Sequence, residues 1–164
     1  MSSKFPVVGV VNLGAYKTPE AYVQALESAG FKIGNRARDI LKKVKCSKTK
    51  VRIRLASATV GQLGLVCGGT TTELYAAILA QGYQLCPSEV APIARILYKD
   101  QPKGQGFWIA MEAISDSNGD LLIFDVGQDH DGLWLDSVNG RPDAFWPHFF
   151  PFVFVVPAQV SLSS

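Results

Sequence analysis

The strongest constraint on this chain's fold lies in its second half, where short apolar runs alternate with tight-turn signals. Asp116-Ser-Asn-Gly119 stands between the runs Phe107–Ile114 and Leu121–Val126. Asn-Gly between two such runs is a hairpin signal, because both central residues of that turn need positive φ. A loop closing at Asp131-Gly132 leads into Leu133–Val138, and Phe152–Val156 forms a last run. Upstream, Ala94–Lys99 precedes the turn Gln101-Pro-Lys-Gly104 and reads as a further strand. Strands joined by turns of this length predict an antiparallel meander.

The first half follows a different period. Phe5–Val11 is β-branched and apolar and reads as a short buried strand. Thr18-Pro19-Glu20 opens a helix: threonine caps free amides, proline at the first position loses no bond, and glutamate suits the positive end of the dipole. Gly30 stops it. A second helix is expected from about Gly34 to Val44, with Ala37, Ile40, Leu41 and Val44 on one face. Residues 51–55 switch to period two, with Val51, Ile53 and Leu55 opposite Arg52 and Arg54. Thr70-Thr-Thr-Glu73 matches a capping box and starts a third helix that ends at Gly82. Pro87 and Pro92 flank a single helical turn at most. The fold class read from this pattern is α+β, with N-terminal helices packed on a four- or five-stranded antiparallel meander in the C-terminal half. A length of 164 residues fits one domain, helix-rich over 1–92, strand-rich over 93–157 and flexible over 158–164.

Composition narrows the class. Apolar residues make up 48% and charged residues 18%, enough for a core and too little charge for a disordered chain. Met1–Pro6 does not read as a leader, and Phe149–Val156 is far short of the ~20 residues of a spanning helix, so no membrane partner is expected. Cys46, Cys67 and Cys86 are odd in number and lack a CxxC pattern, which suggests reduced thiols in a cytoplasmic protein. Charge is segregated: residues 1–54 hold 12 Lys/Arg against 3 Asp/Glu, and residues 55–164 hold 4 against 11.

Several short motifs carry a resemblance. Leu85-Cys-Pro-Ser-Glu-Val-Ala-Pro92, Tyr98-Lys-Asp-Gln-Pro-Lys-Gly104, Ile109-Ala-Met-Glu112 with Asp116-Ser-Asn-Gly119, and Asp131-Gly-Leu-Trp-Leu135 resemble a group of small bacterial and phage proteins without known activity. The resemblance spans about residues 15–156 and implies a bacterial or phage origin and an intracellular protein. The chain departs from the group at His130, where the group carries an acidic residue, so the resemblance lends nothing to an imidazole mechanism.

Four stretches are candidate sites. Arg36, Arg38, Lys42, Lys43, Lys45, Lys50, Arg52 and Arg54 are candidates for nucleic-acid or polyanion binding, since a helix and a strand could share one positive surface. The alternative is a solvated face or one docked on the acidic half. Phe145, Trp146, Phe149 and Phe150 are candidates for a partner-binding patch, against a role in capping the core. Asp125, Asp129, His130, Asp131 and Asp136 could bind a divalent metal or act as acid and base, yet the spacing is not that of an EF-hand, and Asp and Gly suit turns for backbone reasons. Cys67 precedes the third helix, where a thiol could be activated, but no histidine is placed to pair with it. No catalytic residue, metal site or cofactor is assigned.

These readings favour a non-enzymatic binding or assembly protein that acts through a protein partner or self-association. A nucleic-acid-binding accessory protein using segment 32–54 is the second reading. A small hydrolase or metal-dependent enzyme is the third.

Overall fold

The last apolar run of the chain sits in the middle of the sheet. The computed structural model describes residues 4–102 and 104–158; the flexible end expected over 158–164 lies, from 159 on, outside the described residues. The strands are β1 Val7–Leu13, β2 Lys32–Ile33, β3 Val51–Thr59, β4 Gly69–Thr70, β5 Gly106–Ile109, β6 Ile114–Ser115, β7 Leu121–Asp129, β8 Gly132–Asn139, β9 Phe145–Trp146 and β10 Pro151–Val156. The helices are α1 Pro19–Ser28, α2 Asn35–Leu41, α3 Thr71–Ala80 and α4 Val90–Leu97. One sheet of eight strands runs β1-β3-β10-β5-β7-β8-β2, with β6 beside β7, while β4 and β9 form a separate ribbon. It is mostly antiparallel; β10 runs parallel to β5, and β2 to β8.

This α+β architecture corrects two expectations. The sheet is not a meander of the second half alone, because β1 and β3 from the first half pair with each other and β3 pairs with β10. Every residue of β10 after Pro151 is buried, as the uninterrupted run Phe-Val-Phe-Val-Val requires of a strand covered on both faces. The second correction is that Ala94–Lys99 is not a strand. It belongs largely to α4, which begins at Val90. Pro92 is third in that helix, where its missing N–H has no intrahelical partner to lose. Val90 to Arg95 are all buried, so the first two turns of the helix lie in the interior, while Leu97 at its end is exposed. Accordingly α4 packs on β1, β7 and β8, strands from opposite ends of the sheet, so the sheet curls around it.

The caps that begin α1 and α3 form as their sequences require, while α2 starts at Gly34 without a side-chain cap. Thr18 Oγ1 accepts from Ala21 N (3.2 Å) at the start of α1. At α3, Thr70 Oγ1 accepts from Glu73 N (3.2 Å) while Glu73 Oε1 accepts from Thr70 N (2.9 Å).

Two buried polar side chains bracket α4. Glu89, at its N-cap, accepts from Gly14 N (2.9 Å), Ser47 N (2.9 Å) and the Tyr22 hydroxyl. One carboxylate thus ties together the loop after β1, helix α1 and the loop before β3, and its charge suits the helix N-terminus. Arg95 is fully buried. Its Nη1 donates to Gln101 Oε1 (2.8 Å), Gly127 O (2.9 Å) and Trp134 O (3.1 Å), and its Nη2 to Tyr98 O (2.6 Å). Phe31 lies 5.3 Å from the guanidinium. Burial without a carboxylate partner lowers the Arg95 pKa to about 10.

Candidate functional site

Among the described residues β1 bonds only to β3, so its other edge is free. Val7-Val-Gly-Val-Val-Asn-Leu13 contains no charge and no proline. Edge strands normally carry lysine, proline or a bulge that blocks further pairing; here the only such device is an irregularity between Val7 and Gly9. Beside this strand run two adjoining hollows of about 270 and 210 Å³ that share Val10 and Leu97. Val8 to Asn12 form one wall, Ile93, Ile96, Leu97 and Tyr98 of the α4 region form the other, and Tyr16 and Tyr22 close one end. No lining residue is charged. Tyr16, Val8 and Leu97 are 40%, 40% and 56% exposed, which is unusual for apolar side chains grouped around one groove. Tyr98 Oη already donates to the Val8 carbonyl (2.7 Å), a side chain bonding the main chain of the edge strand.

The Glu89 network holds the closed end. Gly14 has φ +80°, and a Cβ there would meet Thr49 O at 2.6 Å, so the turn after β1 demands glycine. Its N–H is fixed by Glu89, as is the Tyr22 hydroxyl. Burial, then the bond to Glu89, pushes the Tyr22 pKa well above that of an ordinary phenol, so Tyr22 remains a donor. Tyr16 packs edge-on against Tyr22, with ring centroids 5.1 Å apart.

The basic residues are distributed differently from a single uniform patch. Arg36 pairs with Asp120 (3.0 Å) and Asp116 (3.5 Å), Arg38 pairs with Glu27 (3.2 Å), and Lys43 Nζ donates to the Ser115 carbonyl. Lys42, Lys45, Lys50, Arg52 and Arg54 have no ion pair among the described residues. Helix α2 packs on β8, whereas Arg52 and Arg54 ride on β3, with β10, β5 and β7 between those two strands. The aromatic segment divides in two. Trp146 is buried and its Nε1 donates to Thr71 Oγ1 (2.8 Å), and Phe150 stacks on Trp108 at 4.3 Å. Phe145 and Phe149 are each 62% exposed.

Cys67 is exposed and has no hydrogen bond to an imidazole among the described residues. Asp129, His130 and Asp131 bring ligand atoms within 4.8 Å of one another, all exposed. Asp129 Oδ1 there accepts from Asp131 N (2.8 Å) and Trp134 Nε1 (3.0 Å), the bonds of a hairpin turn. No described helix is long and apolar enough to cross a membrane.

Sequence inspection missed the groove, whose walls come from residues some eighty positions apart. The available signal was Val7–Leu13 itself, an apolar strand without a protective charge. Comparison with protein-family models, curated proteins and solved structures returns no match.

Proposed function

We propose that this chain is a non-enzymatic binding protein that takes an extended segment of a protein partner as an added strand beside β1. The observation that carries this reading is the free, uncharged edge of β1 facing an apolar groove along α4. In strand addition, main-chain bonds supply affinity, and pockets for alternate side chains supply selectivity. The groove offers both: a row of strand N–H and C=O groups, and hollows at Tyr16–Ile93 and at Leu97–Tyr98. A second copy presenting its own β1 would use the same chemistry.

The test is selection of a random peptide library on the immobilised protein, followed by hydrogen exchange. Enriched peptides should alternate apolar residues at strand period and protect β1 amides. Leu97→Glu places a charge on an exposed wall of the groove at little cost to folding and should abolish their binding. Selected peptides that bind this variant as well as wild type would sink the proposal. Self-assembly would appear as protection of β1 that rises with protein concentration alone.

A nucleic-acid reading is supported by six of the eight basic candidates, Lys42, Lys43, Lys45, Lys50, Arg52 and Arg54, which have no ion pair among the described residues. Its sign would be copurifying material with a high 260/280 nm ratio that salt removes.

A further inference from the structure

The face of the sheet on which Trp108 lies carries a second, polar hollow, unrelated to the β1 groove. Strand register sets it out in two rows. Gly106, Gly127 and Trp134 lie side by side on β5, β7 and β8, and next to them lie Trp108, Asp125 and Asp136. Together they line an open cleft of about 250 Å³. Elsewhere on this face, aromatic rings cover the sheet: Trp146 packs on Phe152, and Phe5 and Tyr83 pack on Phe154.

Two independent features set the cleft apart from the rest of the fold. Asp125 and Asp136 are directly opposed and only half exposed, a pairing of like charges that weakens a sheet. Among the described residues neither has a cationic partner, and Asp136 Oδ1 accepts only from Ser137 N (2.9 Å). Gly106, which opens β5, is paired with Gly127 inside β7; neither has positive φ, and added Cβ atoms would meet only ordinary contacts at 3.4 Å or more. Neither turn geometry nor packing requires glycine there, and such a pair leaves room for a ligand to reach the backbone.

The chain itself indicates the ligand chemistry. Lys32, neighbour of Trp134 across β2 and β8, holds its ammonium 5.5 Å from that indole ring. We infer that the cleft binds an organic cation bearing N–H donors, a guanidinium or alkylammonium group, laid over Gly106 and Gly127 between the two indoles and bonded to Asp125 and Asp136. A planar guanidinium suits the flat glycine floor, stacks on indole and forks onto carboxylate oxygens. The charged group facing Asp125 is Asp136 on β8; Asp129 lies on its own strand, Lys32 lies beyond Trp134, Arg95 of α4 bonds the neighbouring Gly127 and Trp134 carbonyls, and β5 carries none. Burial and then Asp136 raise the Asp125 pKa to about 7, so a bound cation should expel its proton.

The test titrates the full chain with agmatine, methylguanidinium and the tripeptide Gly-Arg-Gly. Tryptophan fluorescence and calorimetry in two buffers of different ionisation heat report binding and proton release. The expected result is saturable binding that releases protons near pH 7 and weakens as pH falls below it. Asp125→Asn and Asp136→Asn should each weaken it about tenfold or more. Gly127→Ala should weaken binding while raising the melting temperature, which separates ligand loss from misfolding. Tighter binding of the tripeptide marks an arginine side chain as the source, and tighter binding of agmatine marks a free small molecule. The inference is overturned if none of the three binds saturably at millimolar concentration. It is equally overturned if binding survives the double Asp125→Asn/Asp136→Asn variant, or if Mg²⁺ or Ca²⁺ saturates the site and no organic cation does.

Discussion

Replacing Glu89 by alanine tests whether one carboxylate holds three parts of the chain together. The substitution orphans Gly14 N, Ser47 N and the Tyr22 hydroxyl at one buried point. Hydrogen bonds to a charged acceptor contribute about 1.5–3 kcal/mol each, so three set an upper range of roughly 5–9 kcal/mol. Water entering the vacated space satisfies part of this, which leaves an expected loss of about 4 kcal/mol. A domain of this size has roughly 5–15 kcal/mol in total. The melting temperature should then fall by about 8–16 °C, at 2–4 °C per kcal/mol. Glu89→Gln keeps the volume but points an amide nitrogen at a donor, for a loss of about 2 kcal/mol. Tyr22→Phe removes one donor only and should cost about 1.5 kcal/mol, the low end of that range. Urea unfolding followed by circular dichroism gives each value. In Glu89→Gln, which still folds, exchange of the Gly14–Tyr16 amides should quicken, because the groove's closed end loses its anchor. A loss below about 1 kcal/mol in Glu89→Ala with an unchanged m-value would refute the reasoning.

Asp125 gives stability an unusual dependence on pH. Its folded pKa, about 7, lies above the ordinary 3.8, so the folded state holds the proton more tightly. The stabilisation is complete below pH 3.8 and is lost as pH rises toward 7. Asp125→Asn should remove that loss and melt higher than wild type at pH 8, as calorimetry across pH 4–8 would show. The three thiols should react with iodoacetamide in the order of their exposure. Cys67 is exposed, Cys46 is half-buried with its pKa raised by burial, and Cys86 is buried with its pKa raised furthest and its Sγ on Val153 O (3.5 Å). Mass spectrometry should therefore find Cys86 unmodified until urea unfolds the chain.

How much was legible in the sequence depends on the range of each interaction. Helices α1 and α3 were readable because their caps are local: Thr18-Pro19 and Thr70–Glu73 satisfy amides within three residues. Helix α4 was misread because Val90–Leu97 spans little more than two turns, and because Pro92 looks like a breaker unless its place in the first turn is known. The central position of β10 was hinted at by its uninterrupted apolar run, but its partners β3 and β5 come from distant parts of the chain. The carboxylate pair was closer to hand. A two-residue turn at His130-Asp131 closes Asp129 against Gly132, and counting back along both strands sets Asp125 opposite Asp136. What could not be counted was the glycine floor, since pairing Gly106 with Gly127 needs the register of β5 as well.

The contrast between interior and surface bears on how the unusual features should be understood. Inside, this chain satisfies most of its difficult groups: Glu89 accepts three donors, and Arg95 donates four bonds to carbonyl and amide oxygens, although its Nε has no partner among the described residues. A chain that ties its buried carboxylate and guanidinium into so many hydrogen bonds has no physical reason to leave most of an apolar strand edge unpaired, to oppose two aspartates and to place two glycines side by side in strands that do not need them. Local conflicts that persist in an otherwise consistent structure concentrate where something else completes it. Arg95 links the two sites. It lies on α4, a wall of the groove, and its guanidinium bonds the carbonyls of Gly127 and Trp134, which border the cleft. A strand seated beside β1 that shifted α4 would therefore shift the cleft floor through this one side chain. If the two sites respond to each other, the coupling should vanish in Arg95→Met, which keeps the stem's packing and removes the bonds. Equal coupling in that variant would place the connection elsewhere.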